Sequence, residues 1–281
     1  MPMLEVTGLC KAYPSFRLDS VSFALSEGKI TGFIGRNGAG KTTTLKSLMG
    51  FVHPDAGSVR FFGMDWVGHE QQIKQRIGYV AGGIGFYPNK PLRLITAVTR
   101  GFYQDWDDAM YRACMARFQL EEGKTPSQLS EGMKVKYALT LALSHRAKLL
   151  ILDEPTSGLD PVSRDELLDI LLSLQREGAT ILFSTHITSD LEKCADDILY
   201  IRQGRIEAQA DIRAFTAEYK YVSMTDAEHD SVNGSLLIGE KQGKDGWRAI
   251  VRAEDASGLD VPCSDATLET IMVHMEKEAR L

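Results

Sequence analysis

Cysteine is scarce in this chain and never paired. Its four cysteines, Cys10, Cys114, Cys194 and Cys263, stand far apart with no CxxC spacing. That excludes a zinc-ribbon or disulfide framework and fits reduced thiols in a cytosolic protein. No stretch approaches the roughly 18 uncharged apolar residues that a bilayer-spanning helix needs, so work at a membrane is expected to go through a partner. A surplus of positive charge is also missing: 32 Lys and Arg face 38 Asp and Glu, for a net charge of −6. Broad binding to nucleic acid calls for a basic face, and no nucleic-acid partner is expected. The opening stretch MPMLEVTGLC lacks the basic, then apolar, then small-residue succession of an export signal.

What is present is ordinary globular material. The 281 residues are 43% hydrophobic and 25% charged, enough for one large domain and a small appendage. Residues 4–25 read as two extended segments, with Val21, Phe23 and Leu25 alternating with polar residues in the second. KITGFIG, SVRFFG and QRIGYVA are further strand candidates, and TTTLKSLMG reads as a helix stopped by Gly50. Residues from about Phe86 to Arg146 have a helical texture. KLLILDE and ATILFST are short apolar runs of the kind that fill a parallel sheet covered on both faces. Between them lies a helix with Asp160 as N-cap, Pro161 at its first position and Gly178 just past its end. ILYIRQGRIEA reads as a hairpin turning at Gln203-Gly204. Beyond Phe215 the chain turns polar and irregular, with strand candidates SLLIGEK and WRAIVRA and a last helix from Thr267. The expected fold is α/β, interrupted by a helical insert and followed by a small α+β tail.

GRNGAGKT, Gly35 to Thr42, fits G-x-x-x-x-G-K-[S/T] between a predicted strand and a predicted helix. Glycines let successive backbone N–H groups converge on a phosphate, and the helix N-terminus adds partial positive charge. Lys41 can reach the terminal phosphates, and the Thr42 hydroxyl is placed to ligate Mg²⁺. In LLILDEPTSGLD, Asp153 and Glu154 stand side by side at the end of a buried strand, a costly pairing without positive charge nearby. Mg²⁺ bound with a nucleotide supplies it. Successive strand residues face opposite ways, so Asp153 can approach the metal while Glu154 polarises an attacking water. LSEGM, residues 129–133, taken alone is a Ser-capped helix start. As a second helix N-terminus with a serine and a glycine, it offers a second anion site. Two copies arranged head to tail would use both.

With these motifs in order, residues 1–215 resemble the ATP-binding subunit of ABC transporters. The matches are GRNGAGKT for Walker A, LLILDE for Walker B, LSEGM for the signature, SGLD for the D-loop and STH for the switch histidine. PTSGLDPVSR and FSTHITSDLE make the chain most similar to single-cassette subunits of ABC-2-type exporters. The resemblance implies a P-loop NTPase core of ABC-ATPase type with an antiparallel β subdomain, a helical subdomain at about 86–146, and an accessory segment at 216–281.

The resemblance further implies that Gly35, Arg36, Asn37, Gly38, Ala39, Gly40, Lys41, Thr42 and Thr43 cradle the phosphates, and that Thr42 and Asp153 serve the metal. Glu154, His186 and Lys41 are the implied catalytic set. Tyr13 would stack on adenine, with Phe16 as the spare candidate. Ser130 and Gly132 would touch the γ-phosphate held by a second subunit, in a homodimer or a heterodimer. Asp160 would join that interface, although helix capping explains it equally. The implied partner is an ABC-2-type permease whose cytoplasmic helix sits in a groove on the helical insert. The implied location is the inner face of the cell membrane. Most of the insert's aromatics, Phe86, Tyr87, Phe102, Tyr103, Trp106, Tyr111 and Phe118, are expected in its own core. Three positions depart from the pattern. Glu131 replaces a glycine and Met133 a glutamine of the signature, and Gly82 in AGGIG stands nearest a glutamine that commonly ligates Mg²⁺. That last departure keeps open a dimerisation switch with little hydrolysis. A non-transport ABC ATPase is the other alternative.

Overall fold

A computed structural model describes residues 2–81 and 87–278 of the chain. Gly82 and Phe86, singled out above, lie outside the described residues. The chain divides into two units, one built from the residues up to His186 together with Lys193–Gln209, the other from Ile187–Glu192 together with the residues from Ala210 on.

The first unit opens with β1 (Leu4–Tyr13) and β2 (Phe16–Leu25), paired antiparallel with Tyr13 opposite Phe16 across a two-residue turn. After β3 (Ile30–Ile34) and α1 (Lys41–Leu48) come β4 (Ala56–Phe61) and β5 (Met64–Asp65), which complete a sheet of order β2-β1-β4-β5. α2 (Trp66–Lys74) and β6 (Ile77–Ala81) lead to the helical insert, made of α3 (Leu92–Arg100), α4 (Asp108–Arg117) and α5 (Glu131–Ser144). The chain returns through β7 (Leu149–Asp153), α6 (Pro161–Arg176), β8 (Thr180–Thr185), α7 (Thr188–Cys194), β9 (Asp197–Arg202) and β10 (Arg205–Asp211), with Thr188–Glu192 of α7 and the last two residues of β10 counted in the second unit.

The second sheet has the order β10-β9-β3-β8-β7-β6, and its strands from β9 to β6 run parallel. Every residue of β3, β7 and β8 is buried, which is why these strands read as unbroken apolar runs rather than alternating ones. One apolar cluster joins the two sheets and α1, bringing Leu4 and Leu18 together with Phe33, Leu45, Ile151 and Leu182. Each such side chain contributes about 1.5–3 kcal/mol of burial. Because β3, β7 and β8 are neighbours, their C-terminal ends open side by side, and the loops that follow them carry Lys41, Glu154 and His186.

The insert uses its aromatics differently from the expectation. Tyr111 and Phe118 are buried, but Tyr87 and Phe102 are 67% and 73% exposed. The core is organised instead around Tyr137 of α5, whose hydroxyl lies 2.9 Å from Thr96 Oγ1 and donates to Leu92 O at 3.1 Å. Thr96 also donates to Tyr111 Oη at 3.2 Å. A hydroxyl network of this kind fixes three helices where the apolar pattern alone leaves slack.

The second unit contains α8 (Ile212–Ala217), β11 (Tyr219–Met224), α9 (Asp226–Ser231), β12 (Ile238–Gly243), β13 (Gly246–Arg252), α10 (Ala253–Ala256), β14 (Cys263–Asp265) and α11 (Leu268–Glu278). It is more regular than its sequence suggests. Its strands form an antiparallel sheet of order β12-β13-β11-β14 over a core of Val222, Met224, Leu237, Ala249 and Val251. The central strand β11 buries Tyr219, Val222 and Met224, a spacing that is not the clean alternation by which a strand announces itself.

Candidate active site

The loop after β3 takes a path only its glycines allow. A Cβ on Gly35 would stand 2.3 Å from Ile201 O, and Gly40 has φ +117 with its Cβ direction 2.7 Å from Leu18 Cδ2. The chain then enters α1 at Lys41, whose side chain is 5% exposed and donates from Nζ to Gly35 O at 2.6 Å. The lysine is thus folded back over its own loop with its charge at the loop's centre.

A cavity of about 390 Å³ lies over this loop, lined by Phe16, Arg36, Asn37, Gly38, Gly40, Lys41, Thr42, Thr43, Glu154, Ser157 and His186. Gly35 and Ala39 lie outside the lining. Gly35 O holds Lys41, and Ala39 O accepts from Gly204 N–H at 3.0 Å.

The two adjacent acids are held in different ways. Asp153 closes β7 and is 7% exposed. Its Oδ1 accepts from Ser184 Oγ at 2.7 Å and from Thr42 Oγ1 at 3.4 Å. Glu154 follows with φ +50, a left-handed conformation that costs a non-glycine residue about 1 kcal/mol. Its backbone N–H donates to Ser184 O at 3.0 Å and to Ser184 Oγ at 3.1 Å. The turn sends its carboxylate into the cavity, with Oε1 3.3 Å from Lys41 Nζ and Oε2 2.8 Å from His186 Nδ1. The positive partner demanded by the paired acids is Lys41 for Glu154, while Asp153 rests on two neutral hydroxyls. The field of Asp153 reaches the neighbouring strand: burial first, then the Asp153 carboxylate, pushes the Tyr79 hydroxyl up to about 12.

This arrangement has defined chemical capacities. Thr42 lines the cavity, and Asp153, outside the lining, stands behind it with Oδ1 3.4 Å from the Thr42 hydroxyl. Two hard oxygen donors so placed suit Mg²⁺, which commonly takes one or two protein ligands and completes its shell with phosphate oxygens and water. Among the described residues no group of three His, Cys, Asp or Glu forms an all-protein cage. Glu154 lines the cavity with one carboxylate oxygen beside the Lys41 ammonium and the other beside the His186 imidazole, and a carboxylate is a group able to accept a proton.

Ser130, Gly132 and Asp160 lie elsewhere. Ser130 caps α5, its Oγ accepting from Met133 N–H at 3.2 Å. Asp160 caps α6, accepting from Val162 and Ser163 N–H at 3.0 Å each and from Ser163 Oγ at 2.6 Å. Those bonds, the Ser163 hydroxyl foremost, hold its carboxyl below the usual range. Gly132 sits beside them, with a Cβ direction 3.5 Å from Ser163 Cβ, so the starts of α5 and α6 form a second polar cluster outside the phosphate-loop cavity.

Tyr13 is 42% exposed and does not line the cavity, whereas Phe16 does. The reason lies in strand order. β2 is the sheet edge that meets the β9–β10 turn, Asp19 N–H donating to Gly204 O at 2.8 Å. Tyr13, on β1, stands one strand spacing farther away, about 4.8 Å. No sequence motif assigns a role to Ser184. Its signal was a polar residue inside the buried run ATILFST, two positions before His186.

Comparison with known proteins gives the arrangement a family. Residues 18–157 match the ABC transporter family. The chain is 36% identical over 211 residues to the bacitracin transport ATP-binding protein BcrA of Bacillus licheniformis, covering 73% of this chain and 68% of the relative. It is 34% identical over 215 residues to the Nod factor export ATP-binding protein I of Ralstonia nicotianae, covering 74% and 67%. A solved ATP-binding subunit of an ABC transporter superimposes with a TM-score of 0.68 at 28% identity, over 76% of this chain and 93% of that one. The fold is therefore the P-loop ABC ATPase fold. The chain belongs to the ABC transporter family as an ATP-binding subunit, an ATPase whose hydrolysis of nucleotide powers transport.

Proposed function

We propose that this chain drives an ABC-2-type exporter as one of two ATP-binding subunits that close head to tail around two ATP molecules on the cytoplasmic side of a membrane permease. The observation that carries the reading is the Glu154 carboxylate held between Lys41 Nζ at 3.3 Å and His186 Nδ1 at 2.8 Å above the phosphate loop. Relatives named for bacitracin transport and Nod factor export support the exporter class. No helix among the described residues is long and apolar enough to cross a membrane, which fits a division of labour with a membrane subunit. In this reading residues 1–215 are the ATP-binding domain and 216–281 an accessory segment.

ATP enters with its phosphates over the Gly35–Thr43 loop, and Lys41 exchanges the Glu154 carboxylate for phosphate oxygens. Phe16 is the better placed aromatic for adenine. Glu154, released from the ammonium but still held by His186, accepts the proton of a water as its oxygen bonds to the γ-phosphorus. The bond from that phosphorus to the leaving oxygen of ADP breaks in line. Positioning and charge stabilisation supply most of the catalysis. Thr42 and Asp153 would hold Mg²⁺, which when bound offsets phosphate charge. Ser130 and Gly132 stand apart from the chain's own cavity, which supports a role for them at the γ-phosphate of a second subunit.

The test is phosphate release from ATP by the purified chain alone and reconstituted with an ABC-2-type permease. Stimulation by the permease is the expected result. Turnover indifferent to every such permease would contradict the exporter assignment.

A further inference from the structure

From His186 the chain runs straight into the second unit. His186 ends the first stretch of the first unit, and the residues after it, Ile187–Glu192, are counted with those from Ala210 on. They include most of α7, which begins two residues after His186. α7 has seven residues, barely two turns, and a helix so short does not hold its own conformation in water. Its position comes from what it is fastened to.

Two consecutive side chains near its end do the fastening. Glu192 Oε1 accepts the backbone N–H of Leu268 at 2.7 Å. Leu268 is the first residue of α11, and a helix leaves the N–H groups of its first turn without partners of their own. Thr267 Oγ1 takes another of them, from Thr270 at 3.1 Å. The start of α11 is thus capped partly by its own sequence and partly by a carboxylate of α7, a charge-assisted bond at the positive end of the helix. The next residue, Lys193, belongs to the first unit and pairs there with Asp165 and, at 3.4 Å, with Asp169 of α6. Leu191, beside Glu192, and Leu268 itself are fully buried.

Between Glu192 and His186 the chain has little slack. One residue, Ile187, separates the histidine from α7, and Ile187 O accepts Asp190 N–H at 3.3 Å. From Thr188 to Glu192 the helix rises by about 1.5 Å per residue and shifts as one piece. Any shift of α7 therefore reaches His186, whose Nδ1 lies 2.8 Å from Glu154 Oε2.

We propose, on the reading of Glu154 as the general base, that Glu192 is a positioning residue for hydrolysis. Through the Glu192–Leu268 bond and α7, the second unit sets the placement of His186 against Glu154. This gives residues 216–281 a role that no motif in them announces. Whatever loosens the start of α11 weakens the hold on His186 and slows hydrolysis, while the phosphate loop and its affinity for nucleotide stay as they are.

The experiment uses the full chain. It reads kcat and KM for phosphate release, the affinity for a fluorescent ATP analogue, and the His186 imidazole signals by NMR, assigned through His186→Gln. In Glu192→Ala, at an exposed position, kcat should fall by about 5- to 50-fold with KM and affinity within about twofold. The His186 signals should shift or broaden with it. Glu192→Gln keeps an acceptor for the Leu268 N–H and should retain most of the rate and the wild-type His186 signals. In a Glu154→Gln background, Glu192→Ala should cost little further rate, since groups that act as a unit are not additive. Unchanged kcat with unmoved His186 signals in Glu192→Ala would overturn the proposal. So would equal rates in the alanine and glutamine variants, or a matching loss of nucleotide affinity. Normal turnover in Glu154→Gln alone would remove the base reading instead, and the His186 signals in Glu192→Ala then decide the positioning role by themselves.

Discussion

The Ser184 hydroxyl donates to Asp153 Oδ1 at 2.7 Å and accepts the backbone N–H of Glu154 at 3.1 Å. One fully buried oxygen thus holds both acids of the site, on a strand paired with theirs in register at Asp153 and Ser184. Ser184→Ala leaves both bonds unmade, and small misplacement in such sites costs up to about 100-fold. We expect turnover to fall by about 10- to 100-fold, with a raised Mg²⁺ requirement and little change in ATP affinity. Ser184→Thr, which keeps the oxygen, should recover part of the loss. An alanine variant with normal turnover and normal Mg²⁺ dependence would remove Ser184 from the account.

Phe16 and Tyr13 can be separated directly. Stacking of a base on an aromatic ring is worth about 1–3 kcal/mol, so Phe16→Ala should weaken ATP binding by about 5- to 100-fold. Tyr13→Ala should leave the affinity within about twofold. Equilibrium binding of a fluorescent ATP analogue reads both. The reverse ranking would restore Tyr13 as the adenine contact.

Much of the site was legible because its chemistry is local. The phosphate loop needs glycines, a lysine and a threonine at fixed spacing, and the strands around it are buried on both faces, so they appear as plain apolar runs. Ser130 and Asp160 were readable as helix caps for the same reason. What stayed hidden depends on neighbours distant in sequence. Phe16 and Tyr13 sit opposite each other on one hairpin, and only the meeting of β2 with the β9–β10 turn distinguishes them. Ser184 matters because β8 lies beside β7. The aromatic expectation for the insert failed at Phe102 and Tyr87 because helical texture does not say which face another surface covers. β11 leaves little trace in the sequence because its burial does not alternate cleanly.

Burial lowers His145 to about 4 from its ordinary 6.5. The unfolded chain therefore takes up this proton below about pH 6.5 while the folded chain does not. Stability from this group is complete above about pH 6.5 and is lost as pH falls toward 4, by at most about 3 kcal/mol. Urea unfolding midpoints of wild type and His145→Gln from pH 8 to 4.5 should converge as the solution becomes acid. Parallel curves would show that His145 is not held neutral by the fold.

Gly132 has room for a side chain, since its Cβ direction meets Ser163 Cβ at 3.5 Å and Leu159 Cδ2 at 3.8 Å, ordinary contact distances. Gly132→Asp should therefore fold. A carboxylate facing a partner's γ-phosphate is a like-charge contact that a low dielectric makes costly. ATP should still bind the monomer, while ATP-driven dimerisation on gel filtration should disappear. Loss of monomer binding would place this segment within the chain's own nucleotide site.

The most direct test of the account is Glu154→Gln, because Glu154 is the group on which Lys41, His186 and the left-handed turn all converge. Glutamine keeps the shape and removes the base. With ATP and Mg²⁺, phosphate release should fall by about 10²- to 10⁴-fold while nucleotide affinity is retained, and the chain should elute at twice its monomer mass. Near-normal phosphate release by a folded Glu154→Gln protein would contradict the assignment of Glu154 as the general base.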